Sequence, residues 1–300
     1  MMKTNFNTIS CYILTILTGG TSWYATTLQL TDVSPVISLI YRFTIAALIL
    51  LLLSQLNGSL QCYTWRQHGL LALMGFLCFS LAFLLIYQSA ELITSSFIAL
   101  IYSTVIFFNT LNAALFFKQR LLFSVITAAV IDSIGIFLVF LPELFTGNWN
   151  WLGFIYALGA TIAFSFSNVC ANHLQSQGIN VLPMTGYSMC WGVLFLLGYA
   201  VITGVPFIFD SSLSYVLSLG WLILFPSVIG YTTYFFIVAR LGMQHAAYTL
   251  LIVPIMALLI STFTEDYNLS IWTLAGTFLI LVGNYIIIDN QANNTQKNSK

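Results

Sequence analysis

At 300 residues, with 59% hydrophobic and 5% charged side chains and a formal net charge of zero, the chain departs far from a soluble domain, of which about a quarter is charged. This composition excludes a soluble globular protein, and the absent net charge argues against a polyanionic partner such as nucleic acid. A hydrocarbon core about 30 Å thick needs about 20 mainly apolar residues per helical span, so the chain has room for about ten spans joined by short loops.

Apolar runs between polar breaks predict spans over 9–30, 35–56, 69–88, 93–117, 122–141, 150–172, 183–203, 215–238, 246–263 and 269–288. The runs are too long and continuous for barrel strands, and in lipid each segment must satisfy its own backbone N–H and C=O groups. The expected fold is therefore an all-α polytopic membrane protein. Lys3 ahead of an apolar segment imitates a signal peptide, but the run continues to Leu30 without an A-x-A site and is taken as the first span. Cys11, Cys62, Cys78, Cys170 and Cys190 show no paired spacing, so neither a disulfide nor a metal site is expected.

The helix-corner-helix stretch 98–140, punctuated by Lys118-Gln119-Arg120, returns about 150 positions later, with Glu265-Asp266 as the break. Ala90 precedes Ala239 by 149 positions, Thr104 precedes Pro254 by 150, and Ala128 and Gly135 precede Gly276 and Gly283 by 148. A near-constant offset implies two homologous halves, 1–141 and 150–289, with a short linker 142–149 and a disordered polar tail 290–300. Five spans per half is an odd number, so the ten transmembrane helices form two inverted five-helix repeats.

Lys3, Arg66, Lys118, Arg120, Arg240, Lys297 and Lys300 fall on the side of the two termini, and Asp32, Glu91, Glu143, Asp210, Glu265 and Asp266 on the other. Because basic loops stay in the cytoplasm during insertion, both termini are expected inside, with a bacterial inner membrane as the location.

These residues resemble the EamA family of the drug/metabolite transporter superfamily. The first half is similar in Gly19-Gly20 to Trp23, Ser34-Pro35 leading to Tyr41-Arg42-Phe43, Ala82-Phe83 running to Tyr87 and Ala90, and the Arg120-Leu121 corner. The second is similar in Gly159-Ala160, Tyr231 to Ala239, Pro254, and Glu265 followed by Gly276 and Gly283. The chain departs from the family in Thr104, where proline is frequent, and in Gln119, where glutamate is frequent. The resemblance implies a central cavity lined by the first four helices of each half and transport of a small organic solute, within a range that spans amino acids, amines, sugars and purines.

Arg42 lies seven residues past Pro35, about 10 Å into its helix at 1.5 Å per residue, a depth at which a charge usually faces a cavity or a partner. It is read as an anion-binding guanidinium with Ser38 on the same face, against snorkelling or a fixed structural pair. Asp132, the intramembrane acid, is a proton-coupling candidate, against satisfaction by Arg42, Ser133 or another subunit. Thr161, Ser165, Asn168 and Asn172 form one stripe on the sixth span, and Thr15, Thr18, Ser22 and Thr26 form a similar row on its repeat mate, the first. Such rows either pack helices or line a pathway. Asn109 and Asn112, Tyr102 seven residues before Asn109, and the aromatics Trp23, Trp191 and Tyr231 complete the substrate-binding candidates. His68, His173 and His245 are read as solvated loop residues.

No H-E-x-x-H, G-x-S-x-G or phosphate-binding loop is present, so neither an enzyme nor an ATP-driven pump is expected, and no cofactor. The expected function is a secondary transporter of a small organic metabolite (an amino acid, amine or similar) working by alternating access, with a proton or another ion as coupling partner and export among its open directions. A channel or a non-transporting structural membrane protein is the alternative.

Overall fold

The computed structural model describes residues 8–118, 123–146, 150–246, 249–264 and 270–298. Among the described residues ten long helices follow in order: α1 (Thr8–Thr27), α2 (Pro35–Leu56), α3 (Trp65–Ala90), α4 (Ser95–Phe117), α5 (Phe123–Thr146), α6 (Trp151–Ser176), α7 (Val181–Thr203), α8 (Leu213–Leu241), α9 (Thr249–Thr264) and α10 (Ile271–Asn298). A single turn, Met243–Ala246, precedes α9. By length and hydropathy α2, α3, α4, α6, α7 and α8 can each cross a membrane, and shorter apolar stretches lie in α5, α9 and α10. The corner residues 119–122, the acids Glu265 and Asp266, and the basic residues Lys3 and Lys300 lie outside the described residues.

Local chemistry sets the ends. Pro35 opens α2, where its missing N–H has no helical partner to lose. Thr64 and Gln67 form a capping box at α3, the Gln67 side chain accepting from the Thr64 N–H at 2.9 Å. The Asn150 side chain accepts from the N–H groups of Leu152 and Gly153 at the start of α6. Two ends differ from expectation. α5 continues through Pro142 to Thr146, into the expected linker, and α10 continues to Asn298 through the expected polar tail. Beyond Asn284 the chain has neither glycine nor proline to stop a helix already propagating.

The packing is symmetric under exchange of the halves. α2 packs on α7 and α5 on α10, each helix meeting its own repeat mate. The α1–α9 contact is mirrored by α6–α4, α1–α8 by α6–α3, and α2–α8 by α7–α3. The small residues of the α5–α10 seam obey the same exchange: a Cβ on Gly135 would lie 2.7 Å from the Gly276 carbonyl oxygen, and one on Gly283 2.9 Å from that of Ala128. Without a hydrophobic force between helices in lipid, such close backbone approach supplies dispersion contact that a larger residue would block.

A second symmetric feature lies closer to the centre. α3 and α8 each widen into a π-helical segment, Gly75–Ala82 and Ile223–Gly230, at an offset of 148 at both ends. Pro226 sits inside the second, and the wider turn accommodates its missing donor. Each segment is followed at once by an aromatic residue, Phe83 and Tyr231. α4 is interrupted at Thr104, whose hydroxyl donates to the Ile101 carbonyl at 2.6 Å, so this position breaks the helix without the family's proline.

Gly135→Ala should lower stability by about 1–3 kcal/mol through overpacking of the α5–α10 seam. Gly198→Ala, where an added Cβ meets open space, should be neutral or slightly stabilising. Thermal unfolding of the two purified variants in one detergent measures the difference.

Candidate functional site

The polar row of α1 defines one wall of a central cavity of about 100 Å³. Thr15, Thr18, Ser22 and Thr26 all line it, with Gly19 and Trp23 between them. Each row hydroxyl donates to a backbone carbonyl three or four residues back, as Thr26 does to Ser22 at 2.9 Å. This internal satisfaction lets a polar face stand inside an apolar bundle at little cost. The opposite wall comes from α8 through Pro226, Gly230, Tyr231 and Tyr234, and α9 closes one side with Leu250 and Val253.

Between these walls runs a continuous series of aromatic rings. Trp23 meets Tyr102 at 5.3 Å between centroids, Tyr102 meets Phe164 at 5.2 Å, Phe164 meets Tyr231 at 6.3 Å, and Tyr231 meets Phe83 at 6.2 Å. The series ends at Arg42, whose guanidinium carbon stands 4.6 Å from the Phe83 ring centroid. Phe83 and Tyr231, the residues that follow the two π-helical segments, therefore face each other across the axis relating the halves.

Arg42 is 1% exposed. Its Nε donates to the Ser227 hydroxyl at 2.8 Å, and that hydroxyl donates to the Leu222 carbonyl five residues earlier, a bond the π-helical geometry of α8 places within reach. The Tyr87 hydroxyl lies beside the guanidinium. Arg42 Nη1 has no hydrogen-bond partner, and among the described residues no carboxylate pairs with Arg42. The Trp23 indole Nε1, also buried, is a second donor without a partner in a lining residue. Ser38, expected on the same face as Arg42, bonds the Tyr215 hydroxyl at 2.8 Å.

Asn109, Ser165 and Asn168 are brought together behind this wall rather than on it. Ser165 donates to the Asn109 Oδ1 at 2.8 Å, Asn168 donates to the same oxygen at 3.3 Å, and Asn112 donates to Ser165 at 2.8 Å. Asn109, Ser165 and Asn168 are fully buried. The network reaches the cavity through Tyr234, a lining residue whose hydroxyl lies beside Asn109 and Asn168. Of the α6 stripe, Thr161 bonds back to Ala157, and Asn172 lines a separate groove at the far end of the helix with Gln175 and Arg240.

Trp191 and Asp132 lie elsewhere. Trp191 is on α7, where its Nε1 donates to His68 Nδ1 at 3.5 Å, within a cluster of edge-on rings with Tyr63 and Tyr187. His68, expected as a solvated loop residue, is thus half-buried among aromatics at the start of α3; burial, and next the neighbouring Tyr187, push the Tyr63 phenol of the preceding loop above its usual range. Asp132 is 3% exposed on the α5–α10 seam, its carboxylate against the Gly283 backbone and both oxygens without a hydrogen-bond partner. Two lining residues carry little signal in the sequence: Phe83 stands out only as part of the family pattern and Phe164 not at all. No polarity marks either, and only the fold turns their rings to the cavity.

A ten-helix bundle with exchange symmetry between its halves and a part-polar cavity on the axis defines the class: a multi-pass membrane transporter. Similar proteins narrow it. The description "EamA-like transporter family" matches residues 7–141 and 151–289, one match in each half, and the chain belongs to that family. It is a family of transporters, not of enzymes. A Clostridium kluyveri protein named "Uncharacterized transporter" is 24% identical over 240 residues, covering 78% of this chain and 76% of its own length. A protein of the same name from Archaeoglobus fulgidus is 22% identical over 281 residues, covering 92% and 96%, and "Uncharacterized transporter YdfC" of Bacillus subtilis is 24% identical over 225, covering 74% and 71%. A crystal structure with a TM-score of 0.68 at 16% identity, covering 92% of this chain and 94% of that one, has the same fold.

Ser165→Ala leaves the Asn112 amide buried without its acceptor and should lower stability by about 1–3 kcal/mol. Ser176→Ala, in an exposed side chain that bonds only its own helix, should change it little. Melting curves of the two variants give the comparison.

Proposed function

We propose that the chain is a secondary carrier that moves a small organic metabolite bearing a carboxylate, an amino acid being the simplest fit, by alternating access around the Arg42 cavity. The observation that carries this reading is a fully buried guanidinium with an open donor and, among the described residues, no paired acid, at the end of an aromatic wall. A charge removed from water and left unpaired is expensive, and an anionic solute group is the counter-charge such a site lacks. The apolar and aromatic lining suits the remainder of an amphipathic solute. Trp23, Tyr102 and Tyr231 contact that remainder, while Asn109, Ser165 and Asn168 act through Tyr234. Trp191 serves the packing of α7 on α3. Proton coupling through Asp132 would act across the α5–α10 seam rather than in the cavity.

The halves 1–141 and 150–289 rock against each other, an inverted pair giving two mirror-related openings, and we favour export as the direction. The loop charges support both termini in the cytoplasm, and the bacterial relatives support a bacterial cell membrane as the location.

Proteoliposome counterflow with tritiated L-phenylalanine and L-leucine, against phenylethylamine, tests the solute class. The acids should exchange and the amine should not, and Arg42→Gln should weaken apparent affinity by about tenfold to a hundredfold, the scale of a charged hydrogen bond. Equal transport of the amine, or an Arg42→Gln variant with unchanged affinity, would contradict the reading. For topology, a fluorescent protein fused after Lys300 should fluoresce in cells; an active periplasmic phosphatase fused there would overturn the orientation.

A further inference from the structure

We propose that Phe83 is the counter-contact of Arg42 in the empty carrier, and that it thereby sets how well the protein returns without solute. The inference rests on the reading of Arg42 as the anion site. A carrier that binds an anion on a buried guanidinium must also carry that guanidinium through its cycle with no anion present. A bare charge would then oppose the empty return, and the protein would be confined to exchange.

Three observations locate the compensation. Among the described residues Arg42 donates to neutral Ser227, lies beside the neutral Tyr87 hydroxyl and makes no ion pair, and its Nη1 has no partner. The Phe83 ring lies 4.6 Å from the guanidinium carbon and the Phe43 ring 5.1 Å, so both present the negative face of a π system to a desolvated cation. Phe43 is 0% exposed and packs edge-on against Phe79, whereas Phe83 lines the cavity, where solute enters. Phe83 is thus the contact a solute carboxylate competes with. A ring is suited to this role because a cation–π contact is weaker than a carboxylate pair: it steadies the empty site and yields to the substrate. A resident Asp or Glu would hold Arg42 too firmly to be displaced.

The position also links the contact to movement. Phe83 is the first residue after the π-helical segment of α3, and its repeat mate Tyr231 holds the same place on α8, 6.2 Å away across the axis. A change in either segment would carry one of these rings past the other. Arg42 therefore meets its shield from one half and its hydrogen-bond acceptor from the other.

Two measurements test the proposal. The first needs no solute: a double-mutant cycle on the melting temperature of ligand-free protein, combining Phe83→Leu with Arg42→Met. Phe83→Leu should lower the melting temperature clearly in the wild-type background and far less beside Arg42→Met; an equal drop in both backgrounds overturns the proposal. The second compares net efflux with exchange of tritiated L-phenylalanine in proteoliposomes. Phe83→Leu should reduce the ratio of net efflux to exchange by about tenfold, the scale of a buried cation–π contact, and Phe83→Tyr, which keeps the ring, should restore it. An unchanged ratio in Phe83→Leu, or in Phe83→Met should the leucine variant fail to insert, overturns the proposal. Coupling in the cycle without any wild-type phenylalanine flux would support the shielding of Arg42 and sink the carboxylate reading instead.

Discussion

A guanidinium held inside the bundle with no carboxylate partner among the described residues is the constraint around which the centre of this protein is arranged. Its charge is tolerable because several weak contacts act together, namely a neutral hydroxyl at 2.8 Å, two ring faces, and the Tyr87 hydroxyl alongside. None of these neutralises it. The site is left stable enough to fold and still deficient in negative charge, a condition that the proposed anionic solute would relieve. In the proposed carrier, binding energy that depends on this relief can differ between the two openings, and only such a difference moves an alternating-access equilibrium.

In the proposed carrier, the symmetry of the halves would supply those two openings. α5 and α10 form a tight pair through Gly135, Gly276 and Gly283, whereas α3 and α8 carry the π-helical segments beside the cavity. Close-packed, glycine-mediated seams resist change, and π segments are local departures from the helical ladder that can shift register. Rigid outer helices with adjustable inner ones are what a rocking mechanism requires. The location of the π segments, at matching positions in both halves and just before Phe83 and Tyr231, couples any such adjustment to the cavity wall.

Much of the fold was legible in the chain because the bilayer leaves few choices. Apolar runs of about 20 residues admit only helices, and among the described residues ten appear near the expected positions. The offset of 148 between Gly135 and Gly283, read from spacing alone, returns as symmetric backbone contacts in the α5–α10 seam. The helix ends at Thr146 and Asn298 were less legible, since hydropathy marks where lipid ends and not where the backbone stops being helical. The site was legible where polarity marked it: Arg42 stood out as a charge, and the Thr15, Thr18, Ser22, Thr26 row as a helical stripe, and both line the cavity. Phe83 stood out only through the family pattern and Phe164 not at all among the 25 phenylalanines, because an apolar ring looks the same in a sequence whether it faces lipid, core or solute. Trp191 shows the converse, an aromatic that packs against His68 away from the cavity.

The central claim is that Arg42 recognises an anionic group. Calorimetric titration of the purified protein with L-phenylalanine and with L-phenylalaninamide, which differ only in the carboxylate, tests it most directly. The account predicts saturable binding of the acid, loss of that binding in Arg42→Gln, and no comparable binding of the amide. Equal affinity for the two compounds, unchanged by the substitution, would contradict it.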